Sequence, residues 1–404
     1  MKGNPVRELL GRRLRLGIVG GGRDSFIGET HRIAARLDDR WEIVAGVPSS
    51  NPAKSLAEAE ALGIPAGRGY ASLTEMIAAE TMRSDGIEAL AIMTPNDAHF
   101  QQAKAALLTG WHVICDKPMT LTLAEAEEIH ALASSRSLVF CLTHNYTGYP
   151  LVRQARAMVT SGQIGSVRLV QVEYVQGGKA RQEEAASSAM PRSWRLDPQR
   201  SGPSLVLSDI GSHAHNLLRF VSGLEVEEVA AEAGTIMPER RFQDFAGALL
   251  RLEGGARGSF WVTQAAAGME NSLRIRICGS LGSLEWQQEI PQVLLWRPLE
   301  GPAQTLTPNG PGSLPLALRS SRIKKGHPEG FLEAFANLYS DAAEVVAAKI
   351  AGMEPDPLAL EFPNSADGLA GLAFIEAALS SSEHGGAWTK VWRLAKSGES
   401  PACR

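Results

Sequence analysis

The sequence is poor in cysteine and has no long apolar run. Four cysteines occur in 404 residues, far apart and without a C-x-x-C pair: Cys115, Cys141, Cys278 and Cys403. This pattern excludes a disulfide framework and indicates buried thiols in a reducing compartment. Nowhere do about 18 uncharged apolar residues follow one another, and the N-terminus has no apolar segment typical of a signal peptide. We therefore expect a cytoplasmic protein that is not embedded in a membrane.

The sequence also lacks a strong excess of either charge. It contains 40 Lys and Arg against 44 Asp and Glu, for a net charge of -4. Because nucleic acids and anionic membranes attract strongly basic surfaces, we expect neither as a partner. The content of 44% apolar and 21% charged residues is that of an ordinary globular protein. The length predicts about two domains.

The first part of the chain alternates short β-branched apolar runs with helical patterns. The strand candidates are residues 16–19, 42–47, 89–93, 112–115 and 138–141. A capping-box pattern, Thr122 followed three residues later by Glu125, predicts a helix start between the last two. This order is typical of β-α-β units, so we predict a doubly wound parallel sheet in an α/β domain spanning residues 1–145.

The second part of the chain has a different pattern of apolar residues. A helix is predicted near residues 151–161, followed by alternating runs at 167–175, 246–252, 256–262, 272–278 and 293–296. Alternation with period two predicts one large, open, mostly antiparallel sheet with helices on one face, in a domain spanning residues 146–404.

A glycine-rich turn follows the first predicted strand. Gly20 and Gly22 fit the first two positions of G-x-G-x-x-G, Ser25 holds the third, and Gly28 comes late, next to Ile27 at the start of a helix. Such a turn can hold a dinucleotide pyrophosphate on backbone N–H groups. The alternative is a tight strand-to-helix turn without a ligand.

The end of the second strand lacks the acidic residue that commonly binds the ribose of NAD. Ser49, Ser50 and Asn51 stand there instead, no arginine is present to bind a 2′-phosphate, and Lys54 is the nearest cation. The choice between NAD and NADP stays open, with NAD slightly favoured.

Two further strand ends carry candidate ligand-binding residues. They are Thr94, Pro95, Asn96 and His99 after one strand, and Asp116, Lys117 and Pro118 after the next. Ligands bind beyond the carboxyl ends of strands in open α/β sheets. The alternative for a single lysine is a solvated surface position.

Asp209 and His213 form the clearest acid-base candidate. If a helix begins near Asp209, the spacing of four residues puts both side chains on one face, as proton transfer during alcohol oxidation requires. Metal binding with His215 is a competing interpretation, disfavoured because no Cys or Glu joins them at a regular spacing. A capping Asp with a core His is the other alternative.

In this order and spacing, the glycine turn, Thr94-Pro-Asn-x-x-His99, Asp116-Lys-Pro and Asp209-x-x-x-His213 resemble the Gfo/Idh/MocA oxidoreductase family over residues 14 to 378. The resemblance implies a Rossmann domain, a second α/β domain whose open sheet forms homodimers or homotetramers, and NAD(P)-dependent oxidation of a ring hydroxyl of a sugar, sugar derivative or cyclitol, with no metal.

The resemblance also implies roles for individual residues. Lys117 would bind the reacting hydroxyl, and Asp209 and His213 would be the acid-base pair. Asp116 replaces the usual Glu on the cofactor side, and Asn216 stands where many members have a second Asp. Further cofactor contacts are expected from Asn145, Trp194 and Arg195. A further substrate contact is expected from Tyr146. Independently of the resemblance, the side-chain chemistry of Arg192 and His327 predicts substrate contacts from them. For Asn145, Trp194 and His327 the alternatives are a turn residue, a packed tryptophan and a solvated loop.

Two other functions remain open. Some relatives oxidise a glycoside transiently so that elimination cleaves the glycosidic bond, and then return the hydride. A few others regulate transcription without catalysis. The second alternative predicts loss of the lysine and histidine, yet Lys117 and His213 are both present.

Overall fold

The first part of the chain forms a parallel sheet. The computed structural model describes residues 3–181, 194, 197–238, 240 and 242–394. The strands of this sheet are β1 (Leu14–Gly20), β2 (Trp41–Val47), β3 (Ala89–Met93), β4 (His112–Cys115) and β5 (Phe140–Leu142). They pair in the order β2-β1-β3-β4-β5, all parallel. The chain changes direction across the sheet between β2 and β3, so the carboxyl ends of β1 and β3 border a crevice where ligands bind in such folds.

Helices cover both faces of this sheet, which explains the nearly continuous apolar runs of its strands. All five residues of β3 are buried. The helices are α1 (Pro5–Leu10), α2 (Phe26–Leu37), α3 (Pro52–Ala61), α4 (Leu73–Glu80), α5 (His99–Thr109) and α6 (Leu123–Ser135). The predicted capping box is present: Thr122 Oγ1 accepts from the Glu125 N–H, and Glu125 Oε2 accepts from the Thr122 N–H.

The second part of the chain forms a nine-stranded sheet. Its strands are β6 (Val167–Val175), β7 (Val226–Gly234), β8 (Phe245–Leu252), β9 (Arg257–Thr263), β10 (Ser272–Gly279), β11 (Gly282–Gln287), β12 (Leu294–Pro298), β13 (Gln304–Leu306) and β14 (Thr389–Lys390). The order is β13-β12-β11-β10-β6-β9-β8-β7-β14, antiparallel except for the parallel pair β6 and β9. The predicted α/β fold class, with a parallel sheet followed by a mostly antiparallel one, is confirmed.

The helices after β5 are α7 (Pro150–Thr160), α8 (Pro198–Ser201), α9 (Ser212–Ser222), α10 (Pro315–Arg319), α11 (Phe331–Ala351) and α12 (Ser365–Glu383). Helix α9 packs on β6, and α12 packs on β7. Along β6 the side chains of Val170, Val172 and Tyr174 are buried, whereas Leu169 on the other face is 55% exposed. One face of the sheet therefore forms core, and the other is open.

Helix α11 returns to the first sheet. It packs against α2 and α1, the Tyr339 hydroxyl lies 2.7 Å from His31 Nδ1, and the indole N–H of Trp41 donates to the Tyr339 carbonyl at 2.9 Å. This helix from the later part of the chain therefore completes the core beside the parallel sheet. The domain boundary at residue 145 stays a prediction.

Within the described ranges, none of the helices combines the length and the apolar character needed to cross a membrane.

Candidate active site

The glycine turn brings α2 unusually close to β1. Gly20 and Gly21 have φ angles of 76° and 70°, a left-handed conformation that glycine adopts without steric cost. A Cβ on Gly28 would lie 2.4 Å from Gly21 Cα, so Gly28 provides the close helix-strand packing of the third motif glycine. Ser25 caps the helix instead, accepting from the Gly28 N–H at 3.1 Å. The N-terminus of α2, which contains Ile27, faces the turn as a site for a pyrophosphate.

The end of β2 lies next to this turn. A Cβ on Gly22 would come within 3.3 Å of the Pro48 carbonyl, and Ser49 and the exposed Ser50 follow directly. Glu58, which no sequence pattern predicted, also contacts the turn. Its Oε2 accepts from the Arg23 backbone N–H at 2.9 Å, and the Arg23 guanidinium lies 3.3 and 3.4 Å from its carboxylate oxygens. No local pattern marks this carboxylate, which the packing of α3 brings to the turn.

The loop after β3 is fixed by a buried histidine. One nitrogen of His99 lies 2.9 Å from the Thr94 carbonyl, and the other lies 2.7 Å from the Pro118 carbonyl. His99 is fully buried. The ring joins the loops after β3 and β4, which carry the half-buried candidates, and the direct cofactor contact expected from His99 stays a prediction. Pro95 starts the turn, and Asn96 Nδ2 donates to the Ser201 carbonyl at 3.0 Å.

Lys117 meets Asp209 at the end of β4. Its Nζ donates to the Asp209 carbonyl at 2.5 Å and to Asp209 Oδ1 at 2.9 Å. The backbone beside it is held by Asp116, whose Oδ1 accepts from the Lys117 N–H at 2.9 Å and from Thr143 Oγ1 at 3.0 Å. The lysine is thus a paired side chain at a strand end, not a solvated surface residue.

Asp209 lies in one wide π-helical turn, Leu207–Gly211, that leads into α9. Helical structure already begins at residue 205, so Asp209 lies within the helix and is not the cap that the alternative interpretation required. Single π turns recur at functional sites. Here the turn presents both the carbonyl and the carboxylate of Asp209 to Lys117.

His213 is a buried, neutral base candidate. It is 8% exposed, and its pKa is lowered well below the usual value by burial, by the charge of Lys117 and by His144. A neutral imidazole can accept a proton. Its Nδ1 lies 3.4 Å from His144 Nδ1, and the Tyr146 ring packs against it with centroids 4.9 Å apart. The structure therefore brings together the predicted Lys117, Asp209, His213 and Tyr146.

Three amide side chains join these four residues, and we call the whole group the wall of the site. No sequence pattern predicted the three amides. Gln264 Nε2 donates to Asp209 Oδ2 at 2.8 Å and to Gln176 Oε1 at 3.2 Å. Gln176 Nε2 donates to Asn271 Oδ1 at 2.7 Å. The Tyr174 hydroxyl also donates to Asn271 Oδ1 at 2.7 Å. We call Gln176, Gln264 and Asn271 the amide cluster.

The strand register explains the amide cluster. Val175 pairs with Thr263 in the parallel pair β6 and β9, and with Ser272 in the antiparallel pair β6 and β10. Gln176 and Gln264 are therefore the first residues after two parallel strand ends, and Asn271 precedes the start of β10 at the same edge. A polar residue directly after each apolar strand is a weak signal, because pairing between distant strands must be known to interpret it.

Asn145 carries a buried side-chain amide. It is 3% exposed, and no hydrogen-bond partner for its Nδ2 is found among the described residues. A buried donor without a partner is rare and costs free energy, which a bound ligand would recover. This donor and the glycine turn fit a dinucleotide cofactor. The next residue, Tyr146, belongs to the wall that contains His213.

Other residues with predicted contacts lie in loops and short turns. His327 is exposed in a loop, with its Nδ1 3.2 Å from the Lys324 carbonyl. This exposure agrees with the alternative of a solvated loop, and the expected substrate contact stays a prediction. Trp194 lies in a turn before α8, where its carbonyl accepts from the Asp197 N–H at 3.1 Å. Arg192 and Arg195 lie outside the described residues.

The metal alternative finds no support in the side-chain arrangement. His215 stacks on Phe374 with ring centroids 4.4 Å apart, whereas Asp209 binds Lys117 and Gln264. In the part of the chain that the structure describes, no three His, Cys, Asp or Glu side chains are grouped to hold a metal ion.

Comparison with known protein families matches both parts of the chain. Residues 14–144 match the oxidoreductase family with an NAD-binding Rossmann fold, and residues 152–285 match the GFO/IDH/MocA C-terminal domain. The chain belongs to the Gfo/Idh/MocA family of oxidoreductases.

Three relatives resemble nearly the whole chain. An uncharacterized oxidoreductase of Bacillus subtilis, YfiI, is 34% identical and covers 95% of this chain and 98% of its own. The crystal structure of an oxidoreductase from Sinorhizobium meliloti has 45% identity and a TM-score of 0.85 over 94% of this chain and 100% of its own. An inositol dehydrogenase homologue from Azotobacter vinelandii, complexed with NADH and myo-inositol, has 33% identity and a TM-score of 0.85 over 95% and 98%.

Proposed function

We propose that the protein is an NAD(P)-dependent dehydrogenase that oxidises a ring hydroxyl of a sugar, sugar derivative or cyclitol. The observation that carries this proposal is the proximity of a neutral, buried His213 to the Lys117–Asp209 ion pair, at the same edge of the parallel sheet as the glycine turn. Alcohol oxidation needs a base for the hydroxyl proton and a cation for the oxygen that loses it.

Each residue has a distinct task in this mechanism. Lys117 Nζ donates a hydrogen bond to the substrate oxygen and stabilises its growing negative charge. His213 accepts the hydroxyl proton, since burial keeps its imidazole neutral. Asp209 holds Lys117 in position through Oδ1, while Oδ2 is held by Gln264. The bound nicotinamide cofactor supplies the hydride acceptor, and the protein supplies orientation and electrostatics.

The amide cluster favours a neutral polyol as substrate. Amide groups offer both donors and acceptors to hydroxyls, and the described wall from Asp209 to Tyr146 is connected by hydrogen bonds. The Azotobacter vinelandii relative, whose structure contains myo-inositol, supports a cyclitol within this class.

The contacts of Arg23 support NAD over NADP. This arginine, three residues after Gly20, is bound by Glu58 through two side-chain contacts, so its charge is already compensated. A 2′-phosphate would have to compete with Glu58 for the guanidinium. Ser49 and Ser50 would bind the ribose hydroxyls of NAD in place of the usual carboxylate.

The open face of the nine-stranded sheet supports a homodimer or homotetramer. Leu169, Leu249 and Trp261 lie on this face and are 55%, 59% and 41% exposed. Burying such side chains against a second copy would remove apolar surface from water. Sedimentation equilibrium tests the proposal, and a monomer at micromolar concentration would contradict it. The cytoplasmic location stays a prediction from the cysteine pattern.

A substrate screen tests the proposed activity. The purified protein is incubated with NAD or NADP and a panel of cyclitols, neutral sugars, anionic sugars and nitrophenyl glycosides, and reduced nicotinamide is followed by its absorbance. We expect NADH to accumulate with at least one neutral polyol, with a higher kcat/KM for NAD than for NADP.

The same screen separates the alternatives. Release of nitrophenol without net NADH would identify a redox-assisted glycoside hydrolase and contradict the dehydrogenase. Cofactor binding without turnover of any panel member would point to a nucleotide-sensing regulator.

A further inference from the structure

His144 stands in direct contact with the candidate base but has no role in the mechanism above. Its Nδ1 lies 3.4 Å from His213 Nδ1. The two rings are nearly perpendicular, with centroids 5.1 Å apart and an interplanar angle of 82°. His144 is 3% exposed. The contact is thus a buried one between two ring nitrogens, and only one of them can carry the proton that joins them.

Both rings are neutral. The pKa of His144 is lowered to about 3 by burial and by the charges of Lys117 and Arg219, and the pKa of His213 is lowered by burial, Lys117 and His144. A neutral imidazole carries one N–H and one acceptor nitrogen, and the partner of one nitrogen decides which tautomer forms. The His144 contact therefore bears on the tautomer of His213.

The direction of the hydrogen bond follows from the chemistry required of His213. Its Nδ1 faces His144, so only Nε2 can meet a substrate hydroxyl. To take a proton, Nε2 must be unprotonated, and the single ring proton must then lie on Nδ1. That proton needs an acceptor, and His144 Nδ1 is the atom in front of it.

We propose that His144 is a positioning residue that accepts a hydrogen bond from His213 Nδ1–H and thereby keeps His213 Nε2 free to act as the base. The inference rests on the proposed function of His213. The opposite tautomer would put a proton on the nitrogen that faces the substrate, and the base would be blocked.

The position of His144 is well defined for such a task. The backbone N–H of His144 donates to the Leu142 carbonyl at 2.8 Å, and the backbone carbonyl of His144 accepts from Thr147 Oγ1 at 2.9 Å. The two contacts join the end of β5 to the segment directly after it. A rigid backbone on one side and α9 on the other fix the relative position of the two rings.

Nitrogen NMR tests the tautomer directly and needs no substrate. Histidine-selective ¹⁵N labelling of the full chain, with long-range ¹H–¹⁵N correlations at neutral pH, distinguishes a protonated from an unprotonated ring nitrogen. His213→Gln identifies the His213 signals by their loss. We expect a protonated Nδ1 and an unprotonated Nε2 in His213. A proton on His213 Nε2 would overturn the inference, whether or not the protein oxidises a sugar.

A matched pair of variants tests the consequence for the reaction. In His144→Asn, the side-chain oxygen takes the place of Nδ1 and can still accept. In His144→Leu, a similar volume is kept without an acceptor. Loss of the correct tautomer is expected to lower kcat by about tenfold or more in His144→Leu, with an unchanged cofactor Kd and near-normal kcat in His144→Asn. Equal losses in both variants would show a merely structural role and overturn the inference.

The two tests also separate this inference from the proposed function. If no panel polyol is oxidised but His213 Nδ1 carries the proton, the dehydrogenase fails while the hydrogen bond to His144 stands. If oxidation occurs and Nε2 carries the proton, the dehydrogenase stands and the role of His144 fails.

Discussion

The edge of the parallel sheet and the edge of the nine-stranded sheet contribute to the same wall, but they are built differently. On the parallel side, each contribution is a short contiguous motif, such as Gly20 to Gly28 or Asp116 to Pro118. On the other side, Gln176 and Asn271 are separated by 95 residues and meet through strand pairing. Site residues that lie in one turn can be predicted from the sequence. Site residues that meet through strand register can be identified only when the fold is known.

The proposed roles also differ between the two edges. The parallel side supplies the glycine turn, which would bind the cofactor, and Lys117, which would contact the reacting hydroxyl. The amide cluster supplies orientation for substrate and for Asp209. Variants on the two sides should therefore change different kinetic quantities, and the following predictions are ordered from the largest expected effect to the smallest.

Lys117→Met should have the largest effect. Loss of the cation that stabilises the substrate oxygen is expected to lower kcat by about 10³-fold, with little change in the Kd for NADH measured by fluorescence. Lys104→Met is the matched control, because Lys104 makes a surface ion pair with Glu128 on α5 and α6. Equal turnover in Lys117→Met and Lys104→Met would remove Lys117 from the mechanism.

Gly28→Ala should act on the cofactor side alone. The new Cβ would lie 2.4 Å from the Gly21 backbone, so α2 must move away from the turn. We expect the Kd for NAD, measured by calorimetry, to rise about tenfold or more, equivalent to at least about 1.4 kcal/mol. Gly371→Ala is the control, since its Cβ meets nothing within 4 Å on α12. If both variants bind NAD equally, the close approach is not required for binding.

Gln264→Leu should act on the substrate side. It removes a 2.8 Å hydrogen bond to the Asp209 carboxylate, and hydrogen bonds to charged groups contribute about 1.5–3 kcal/mol. We expect kcat/KM for the polyol to fall about tenfold or more while the Kd for NAD is unchanged. Gln171→Leu, on the open face of β6, serves as the control. A loss of NAD affinity instead would erase the contrast between the two edges.

The pH profile should show the smallest effect. The pKa of His213 is lowered by burial first, then by Lys117 and His144. Removing the positive charge in Lys117→Gln therefore raises this pKa, so the base is protonated at a higher pH. We expect the acidic limb of kcat/KM to move to higher pH in the residual activity of this variant. A limb that stays in place or moves to lower pH would contradict the electrostatic contact.

Much of the fold follows from local patterns in the sequence. The predicted strands 89–93 and 112–115 coincide with β3 and β4, because apolar runs bounded by turn residues define fully buried parallel strands. The Thr122 capping box gives the start of α6 for the same local reason. The return of α11 to the first sheet was not predictable, since a helical pattern does not specify which sheet it covers.

The candidate site divides in the same way. Lys117, Asp209 and His213 were found because strand ends and a spacing of four residues are visible in one dimension. The sequence predicts ligand contacts for His99 and His327, and these stay predictions: one ring contacts two carbonyl oxygens, and the other is exposed to solvent. His144, Glu58 and the amide cluster were missed because their partners lie far away in the sequence.

Direct oxidation of a ring hydroxyl is tested by following the hydrogen on the reacting carbon. A panel polyol that reduces NAD is prepared with deuterium at its ring carbons, and one turnover is analysed by mass spectrometry of both products. We expect one deuterium in NADH, none returned to the ring carbon, and loss of this transfer in Lys117→Met. NADH without deuterium, or deuterium returned to a cleaved sugar, would contradict direct oxidation of a ring hydroxyl at this site.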